Sequence, residues 1–267
     1  MAVTRIEKSN PQLSRDNTLT LTLHSDNLDR RQDVTVYNPY SAQKDLPIVF
    51  LLHGVYGNNW VWMDLGGAHQ VYESLRKQGL SEFVLVMPSD GGLWEGSGYL
   101  PLEEHGNFEK WIVDDVLNTV LDTLGSVSTQ SNLYITGLSM GGYGALRLGA
   151  KYASQFSGIS AHSSITKVED LALFTDKPLE NYQTKQTHES DILYWCNQNK
   201  ADLPPLRLDC GTDDELFESN QELVTKLNQA NIEFQYEELS GGHEWPYWNR
   251  NLVKTLKFFD QIEKQKH

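Results

Sequence analysis

Residues 137–144 read Gly-Leu-Ser-Met-Gly-Gly-Tyr-Gly. The run Leu-Tyr-Ile-Thr precedes them at residues 133–136, and a helix-forming stretch follows at residues 145–152. Ser139 therefore has a glycine two positions away on each side, between a predicted strand and a predicted helix. In so tight a turn, a side chain at either flanking position would collide with the strand or the helix, and glycine removes the collision. The pattern predicts a serine hydroxyl exposed at the carboxyl end of a strand.

Size and charge favour one α/β domain with a small, uncharged partner. The chain has 267 residues, of which 39% are hydrophobic, so it can form one large domain or two small ones. We expect one domain over residues 1–267. The net charge of −14 disfavours nucleic acids and anionic membranes, because phosphate contacts need clustered Lys and Arg. No stretch approaches the roughly 18 apolar residues of a membrane span.

Cysteine usage and the N-terminus indicate a reducing compartment. Residues 1–10 contain no apolar signal core. The two cysteines are Cys196 and Cys210, and Cys210 ends a predicted buried strand, which favours a small core residue over a disulfide. We therefore expect a cytoplasmic location. Assembly into homo-oligomers stays open.

The hydrophobic pattern changes along the chain. Residues 19–23 and 33–37 alternate between apolar and polar, as in antiparallel, half-exposed strands. Short apolar runs, typical of strands buried on both faces, follow at residues 48–52, 83–87, 133–136 and 206–210, with a further strand at 234–239. Helix-like segments lie at about 68–78, 109–123, 140–152, 215–230 and 248–262. This alternation predicts a mostly parallel sheet with helices on both faces and antiparallel strands at the N-terminus.

Residues 162–190 are polar and have no strong periodicity. We expect them to cross the carboxyl edge of the sheet, where α/β proteins bind ligands, as a lid or a pocket wall. The alternative is a surface loop without a role in binding.

A serine hydroxyl becomes nucleophilic only beside a base, which in turn needs an acid to fix its tautomer. Residues 211–214 read Gly-Thr-Asp-Asp directly after a predicted strand, and residues 240–245 read Ser-Gly-Gly-His-Glu-Trp directly after the last one. Both segments leave strand ends, in the chain order serine, acid, histidine. His243 is the candidate base. Asp214 is the favoured acid and Asp213 the alternative.

The other titratable groups receive structural interpretations. Asp213 and Glu215 suit the capping of the following helix. His53 is expected to brace its own loop, and His162 and His188 to be surface or pocket-lining groups. The remaining histidines without a motif are His24, His69, His105 and His267.

A metal site is not expected. The pair His243-Glu244 resembles the start of a zinc-protease helix, but no second histidine follows and Pro246 would break the helix. We expect neither a metal nor a cofactor.

Reaction at a carbonyl group builds negative charge on its oxygen, which needs hydrogen-bond donors already in place. The backbone N–H of Met140, directly after the serine, is the first candidate. The second is the N–H of Val55, in the loop His-Gly-Val-Tyr-Gly at residues 53–57 that follows a predicted strand.

Residues 89–99 follow another strand and combine glycines with Trp94 and Tyr99. We expect these two aromatic residues to line the acyl or alcohol pocket, the alternative being a surface loop with packed aromatic rings. The tryptophans that can add apolar wall are Trp60, Trp62, Trp245 and Trp248. Because no basic cluster accompanies the motifs, a strongly anionic substrate is disfavoured.

These motifs together resemble the esterase D branch of the α/β-hydrolases. This branch includes S-formylglutathione hydrolases, feruloyl esterases, bacterial tributyrin esterases and antigen 85 mycolyltransferases. The resemblance rests on residues 51–54, 137–146, 210–214 and 241–245 and is strongest to the short tributyrin esterases. It implies an α/β-hydrolase fold in which Ser139, Asp214 and His243 act as nucleophile, acid and base.

The resemblance implies a serine carboxylesterase that hydrolyses small short-acyl or aryl esters through an acyl-enzyme. An S-formylglutathione hydrolase-type thioesterase or an acyltransferase would use the same three residues. Residues 55–58 lack the cysteine that is usual in the oxyanion loop of S-formylglutathione hydrolases. A non-catalytic binding module is disfavoured by the intact set of three residues.

Overall fold

The computed structural model describes residues 2–266, so Met1 and His267, the two ends of the predicted domain, lie outside the described residues. The strands are β1 (Val3–Lys8), β2 (Thr18–Ser25), β3 (Arg30–Tyr37), β4 (Ile48–Leu52), β5 (Val84–Pro88), β6 (Pro101–Leu102), β7 (Gly106–Asn107), β8 (Leu133–Leu138), β9 (Phe156–His162), β10 (Leu206–Gly211) and β11 (Gln235–Leu239). The helices are α1 (Val61–Asp64), α2 (Ala68–Arg76), α3 (Phe108–Lys110), α4 (Leu117–Thr123), α5 (Met140–Lys151), α6 (Ile192–Gln198), α7 (Phe217–Gln229) and α8 (Trp245–Lys266). No helix within residues 2–266 has both the length and the apolarity needed to cross a membrane.

Within residues 2–266, nine strands form one sheet in the order β1-β2-β3-β5-β4-β8-β9-β10-β11. The pairs from β1 to β3, and the pair β3 with β5, are antiparallel. All the remaining pairs, from β5 across to β11, are parallel. The sheet confirms the predicted α/β-hydrolase architecture, including the antiparallel strands at its N-terminal end.

The centre of the sheet is buried on both faces, as strand β4 illustrates. Its residues Ile48, Phe50 and Leu52 point into one apolar cluster, which also contains side chains of α4, α5 and α7. Val49 and Leu51 point into a second cluster, with side chains of α2 and α8. Because successive side chains of a strand alternate between faces, a continuous apolar run is what a strand between two helical layers requires.

Several elements differ from the sequence predictions. Strand β9 was not predicted, and it includes the first residue of the expected excursion, residues 162–190. The rest of that segment contains three short 3₁₀ helices, Val168–Leu173, Leu179–Tyr182 and Thr187–Ser190. The predicted helix at 109–123 is helical throughout, but its middle, Trp111–Val116, is π-helical.

A buried ion cluster fastens α5 to α3. Arg147 is fully buried, and its guanidinium lies 2.6 Å from the Glu109 carboxylate. The same carboxylate accepts hydrogen bonds from Lys151 Nζ at 2.8 Å and from the Tyr152 hydroxyl at 2.6 Å. Burial alone would raise the pKa of Glu109, but the Arg147 charge and these donors outweigh it, so the pKa is lowered. Glu109 is therefore a charged, paired group in the folded protein.

The lowered pKa of Glu109 predicts that its contribution to stability is lost in acid. The unfolded chain takes up the proton near the ordinary value of 4.5, before the folded protein does. The contribution is thus complete above that pH and declines as the pH falls towards the folded pKa. We expect Glu109→Gln to lower the free energy of unfolding by about 3–5 kcal/mol at neutral pH, because Arg147 loses its nearest carboxylate and is left with that of Glu189, 3.9 Å away. In urea denaturation series, the difference from wild type should shrink below pH 4.5.

Glu104→Gln is the matched control, because Glu104 is an exposed glutamate between β6 and β7. This variant should leave the free energy of unfolding unchanged at neutral pH and below pH 4.5. A Glu109→Gln difference that stays constant with pH would contradict the assignment.

Candidate active site

Ser139 occupies the turn between β8 and α5 in a strained conformation, with φ 55° and ψ −124°. A Cβ atom at Gly137 would lie 2.1 Å from the Gly141 carbonyl oxygen, and one at Gly141 would lie 2.2 Å from the Leu52 carbonyl oxygen. Both flanking positions therefore require glycine, for the reason that the sequence suggested. Such backbone strain, typically about 1–3 kcal/mol, persists where the surroundings enforce it, and it is concentrated at functional sites.

The structure brings Ser139, His243 and Asp214 together at the carboxyl edge of the sheet. His243 Nε2 lies 3.0 Å from Ser139 Oγ, and His243 Nδ1 lies 3.0 and 3.1 Å from the two Asp214 carboxylate oxygens. The Asp214 side chain is fully buried, whereas the His243 side chain is 14% exposed. With Nδ1–H donating to the carboxylate, Nε2 is left to accept the proton of the Ser139 hydroxyl.

The structure separates the two candidate acids. Asp213 is exposed and contacts the His243 loop only through its backbone N–H, which donates to the Gly241 carbonyl at 3.0 Å. The carboxylate at position 214 also accepts the Leu216 N–H at 2.9 Å, ahead of α7. The expectation that Asp213 and Glu215 cap this helix is wrong, because no side chain in the described part of the chain makes a capping hydrogen bond at the start of α7. The carboxylate that binds a backbone N–H in the turn before α7 is that of Asp214.

The two predicted oxyanion donors, the backbone N–H groups of Val55 and Met140, flank the serine. Met140 is the first residue of α5, where the N–H has no acceptor within its helix. Within residues 2–266, neither N–H donates a hydrogen bond to another part of the protein. The Val55 loop approaches the serine so closely that a Cβ at Gly54 would lie 3.1 Å from Ser139 Cβ. Both donors are thus free to bind an oxygen of a ligand.

His53 braces this loop, as predicted. It is 1% exposed, its Nδ1 lies 2.7 Å from the Gly54 carbonyl oxygen, and its Nε2 accepts the Asp90 N–H at 2.9 Å. The Tyr56 N–H adds a second support, because it donates to the Glu95 carbonyl at 2.7 Å. The loop that carries Val55 is therefore held from two sides.

An apolar cavity of about 570 Å³ opens beside Ser139 and His243. Its wall consists of Gly54, Val55, Tyr56, Gly57, Val61, Leu65, Leu138, Phe174, Glu244, Trp245, Pro246 and Trp248. Glu244 is the one charged group among these wall residues. This volume lies within the range of about 300–1,000 Å³ that is usual for small-molecule sites.

The expected pocket residues Trp94 and Tyr99 do not line this cavity. Tyr99 is fully buried, and its hydroxyl donates to the His53 carbonyl at 2.9 Å, so it supports the loop of residues 53–57. Trp94 packs edge to face against His105 and Tyr182, with ring centroids 4.8 and 5.5 Å apart. Their expected role in lining the pocket is corrected accordingly.

The cavity takes its aromatic groups from elsewhere. Phe174 stacks on the His243 imidazole, with centroids 5.0 Å apart, and Trp248 meets that ring edge to face at 4.9 Å. Of the other predicted tryptophans, Trp245 lines the cavity, while Trp62 is buried behind it. The sequence analysis missed Phe174, although Leu-Ala-Leu-Phe at residues 171–174 is an apolar run within the polar segment.

His162 also differs from expectation, because it is a fully buried residue at the end of β9 and not a surface group. Among the described residues, one group of side chains is close enough to share a metal ion, namely Asp214, Glu215 and His243, with ligand atoms within 4.8 Å. Asp214 and His243 already hydrogen bond to each other, so a metal ion here would compete with that pairing.

Comparison with known proteins places the chain among esterases. The Esterase family, described as "Putative esterase", matches residues 25–259. The acetyl esterase of Caldicellulosiruptor saccharolyticus is 29% identical over 282 residues, covering 98% of this chain and 99% of that protein.

Two solved structures share the fold. A ferulic acid esterase superposes with a TM-score of 0.80 at 28% identity, over 92% of this chain and 97% of that one. FphF, a fluorophosphonate-binding serine hydrolase of Staphylococcus aureus, superposes with a TM-score of 0.79 at 20% identity, over 91% and 98% of the two chains. The chain belongs to the Esterase family of α/β-hydrolases, and the protein is a carboxylic ester hydrolase.

Proposed function

We propose that the protein is a serine carboxylesterase in which Ser139 is the nucleophile, His243 the general base and Asp214 the acid that orients it. One observation carries this proposal: an unbroken chain of hydrogen bonds runs from Asp214 through His243 to Ser139 Oγ, at the floor of the apolar cavity. The same arrangement of groups activates a serine hydroxyl in enzymes of several unrelated folds.

In the first half of the reaction, Ser139 Oγ attacks the ester carbonyl while His243 Nε2 takes the hydroxyl proton. The carbonyl oxygen becomes negatively charged and accepts hydrogen bonds from the N–H groups of Val55 and Met140. Donors of this kind matter because the loss of one lowers the rate by about 10²–10³-fold. The intermediate then collapses, the ester C–O bond breaks, and His243 gives its proton to the departing alcohol.

In the second half, water attacks the acyl group on Ser139 and His243 takes a proton from it. The bond to Ser139 Oγ breaks, the proton returns from His243 to that oxygen, and the carboxylic acid leaves. Throughout, the Asp214 carboxylate keeps Nδ1 protonated and stabilises the imidazolium that forms in each half.

The size and the apolar wall of the cavity favour small esters as substrates. These would be esters of neutral alcohols or phenols with short-acyl or aryl groups. The cavity's volume of about 570 Å³ is sufficient for such a molecule. Its wall is apolar apart from Glu244, and no Lys or Arg lies among the residues that line it. A glutathione thioester carries carboxylates that would lack a cationic partner here. Acetyl esters and feruloyl esters are the first substrates to test, since they are the substrates named for two relatives.

One prediction of this proposal concerns the nucleophile. Ser139→Ala removes the only atom that forms the acyl bond, so kcat for p-nitrophenyl acetate should fall by about 10⁶-fold. Circular dichroism and thermal unfolding should match wild type, because the hydroxyl is a small part of the packing. A folded Ser139→Ala variant that retains turnover would refute the proposal.

Another prediction of this proposal compares the adjacent aspartates. Asp214→Asn should lower kcat by about 10⁴-fold, because an amide does not hold His243 in the required tautomer. Asp213→Asn is the matched control and should retain wild-type kcat, since Asp213 is exposed and uses only its backbone towards the His243 loop. Steady-state kinetics with the same p-nitrophenyl ester test both. Loss of activity in Asp213→Asn, with Asp214→Asn still active, would reverse the assignment.

A further inference from the structure

A second group of ionisable and polar side chains is buried beneath the candidate active site and has no role in the reaction described above. We call it the Asp209 cluster; each member is at most 2% exposed, and the members are His162, Arg207, Asp209, Tyr247 and Thr255. Burying charges is unfavourable, and apolar side chains of similar volume are often as good or better for stability. The presence of the Asp209 cluster beneath the candidate active site therefore needs an explanation other than packing.

Asp209 is the centre of the cluster. Its Oδ2 lies 2.5 Å from Arg207 Nη1 and 2.8 Å from His162 Nδ1, and its Oδ1 accepts the Tyr247 hydroxyl at 2.7 Å. Burial alone would raise the pKa of Asp209, but His162, Arg207 and the Tyr247 hydroxyl outweigh this, so the pKa is lowered. Asp209 is thus a carboxylate with partners on three sides.

The partners of Asp209 belong to segments that carry or contact the proposed catalytic residues. His162 ends β9, and its backbone carbonyl accepts the N–H of Ser139 at 3.0 Å. Tyr247 lies in the first turn of α8, four residues after His243, and its ring lies against Gly241 in the His243 loop. Asp209 itself lies on β10, five residues before Asp214.

Two further hydrogen bonds join β9 to α8. His162 Nε2 lies 2.8 Å from the Thr255 hydroxyl of α8, which in turn lies 2.6 Å from the Ser160 hydroxyl of β9. The imidazole of His162 therefore spans the distance from a carboxylate on β10 to a hydroxyl on α8. Because hydrogen bonds are directional, this network fixes orientations that apolar contacts would leave less defined.

We propose that Asp209 is a positioning residue for the triad, an inference that rests on the proposed function. It holds the backbone behind Ser139, the first turn after His243 and the strand leading to Asp214 in one rigid arrangement. The 3.0 Å contact between His243 Nε2 and Ser139 Oγ depends on that arrangement. A displacement of about 1 Å at reacting groups can lower the rate by about 10²-fold, even when its origin is distant.

The test replaces Asp209 by its neutral isostere. Asp209→Asn should lower kcat for p-nitrophenyl acetate by about 10²-fold with little change in KM, because the cavity wall is untouched. The rate of inactivation by a fluorophosphonate should fall to a similar extent. Tyr247→Phe removes a single hydrogen bond and should lower kcat by about tenfold while folding normally, so it serves as the test if Asp209→Asn does not fold.

Glu109→Gln is the matched control. Glu109 is also a buried carboxylate that pairs with an arginine and a tyrosine hydroxyl, and Arg147, its partner, lies two helical turns beyond Ser139 along α5. This variant should lose stability but keep wild-type kcat. If Asp209→Asn and Tyr247→Phe, once folded, match Glu109→Gln in kcat and in inactivation rate, the cluster is merely structural and the inference is wrong.

Ser139→Ala, assayed in parallel, separates this inference from the proposed function. An active Ser139→Ala variant overturns the proposed function and the inference with it. An inactive Ser139→Ala variant, together with wild-type kcat in Asp209→Asn, overturns the inference alone.

Discussion

The close approach of backbone segments around Ser139 is the constraint on which the rest of the site depends. The serine adopts a positive φ because Gly137 and Gly141 let strand β8, helix α5 and the end of β4 meet without side chains between them. This turn aims the hydroxyl at the carboxyl edge of the sheet. It also leaves the N–H of Met140 pointing out of the first turn of α5, without a partner in its own helix.

The parallel sheet completes the site, because the strands β4, β8, β10 and β11 all end at the same edge. The loops after these strands supply Val55, Ser139, Asp214 and His243, residues that are far apart along the chain. The layers below hold the loops in place through buried polar contacts. His53 and Tyr99 support the loop that carries Val55, and the Asp209 cluster links segments that carry or contact the three proposed catalytic residues.

The sequence predicted the features that local physical chemistry determines. Strand β4 was predicted to the residue, because an uninterrupted apolar run has few alternatives between two helical layers. The turn at Ser139 was likewise predictable, because glycine spacing reports directly on backbone contacts.

The errors concern long-range contacts. Tyr99 lies in a glycine-rich loop that suggests exposure, but its ring is buried in the apolar core and its hydroxyl donates to the carbonyl of His53, which is distant along the chain. The strand that ends at His162 was missed because Phe-Ser-Gly-Ile-Ser-Ala-His is not an apolar run, and its burial arises from pairing with β8 and β10 on either side. Phe174 contacts His243 because of the path that residues 162–190 follow, and the sequence of that segment has no clear hydrophobic period.

The residue that carries the acyl group during turnover shows whether Ser139 is the nucleophile. The wild-type protein would be mixed with p-nitrophenyl acetate, quenched in acid during the first turnovers, digested and mapped by peptide mass spectrometry. We expect an acetyl group on the oxygen of Ser139, formed as p-nitrophenol is released. An acetyl group on another residue, or an unmodified Ser139 after a stoichiometric burst of p-nitrophenol, would contradict it.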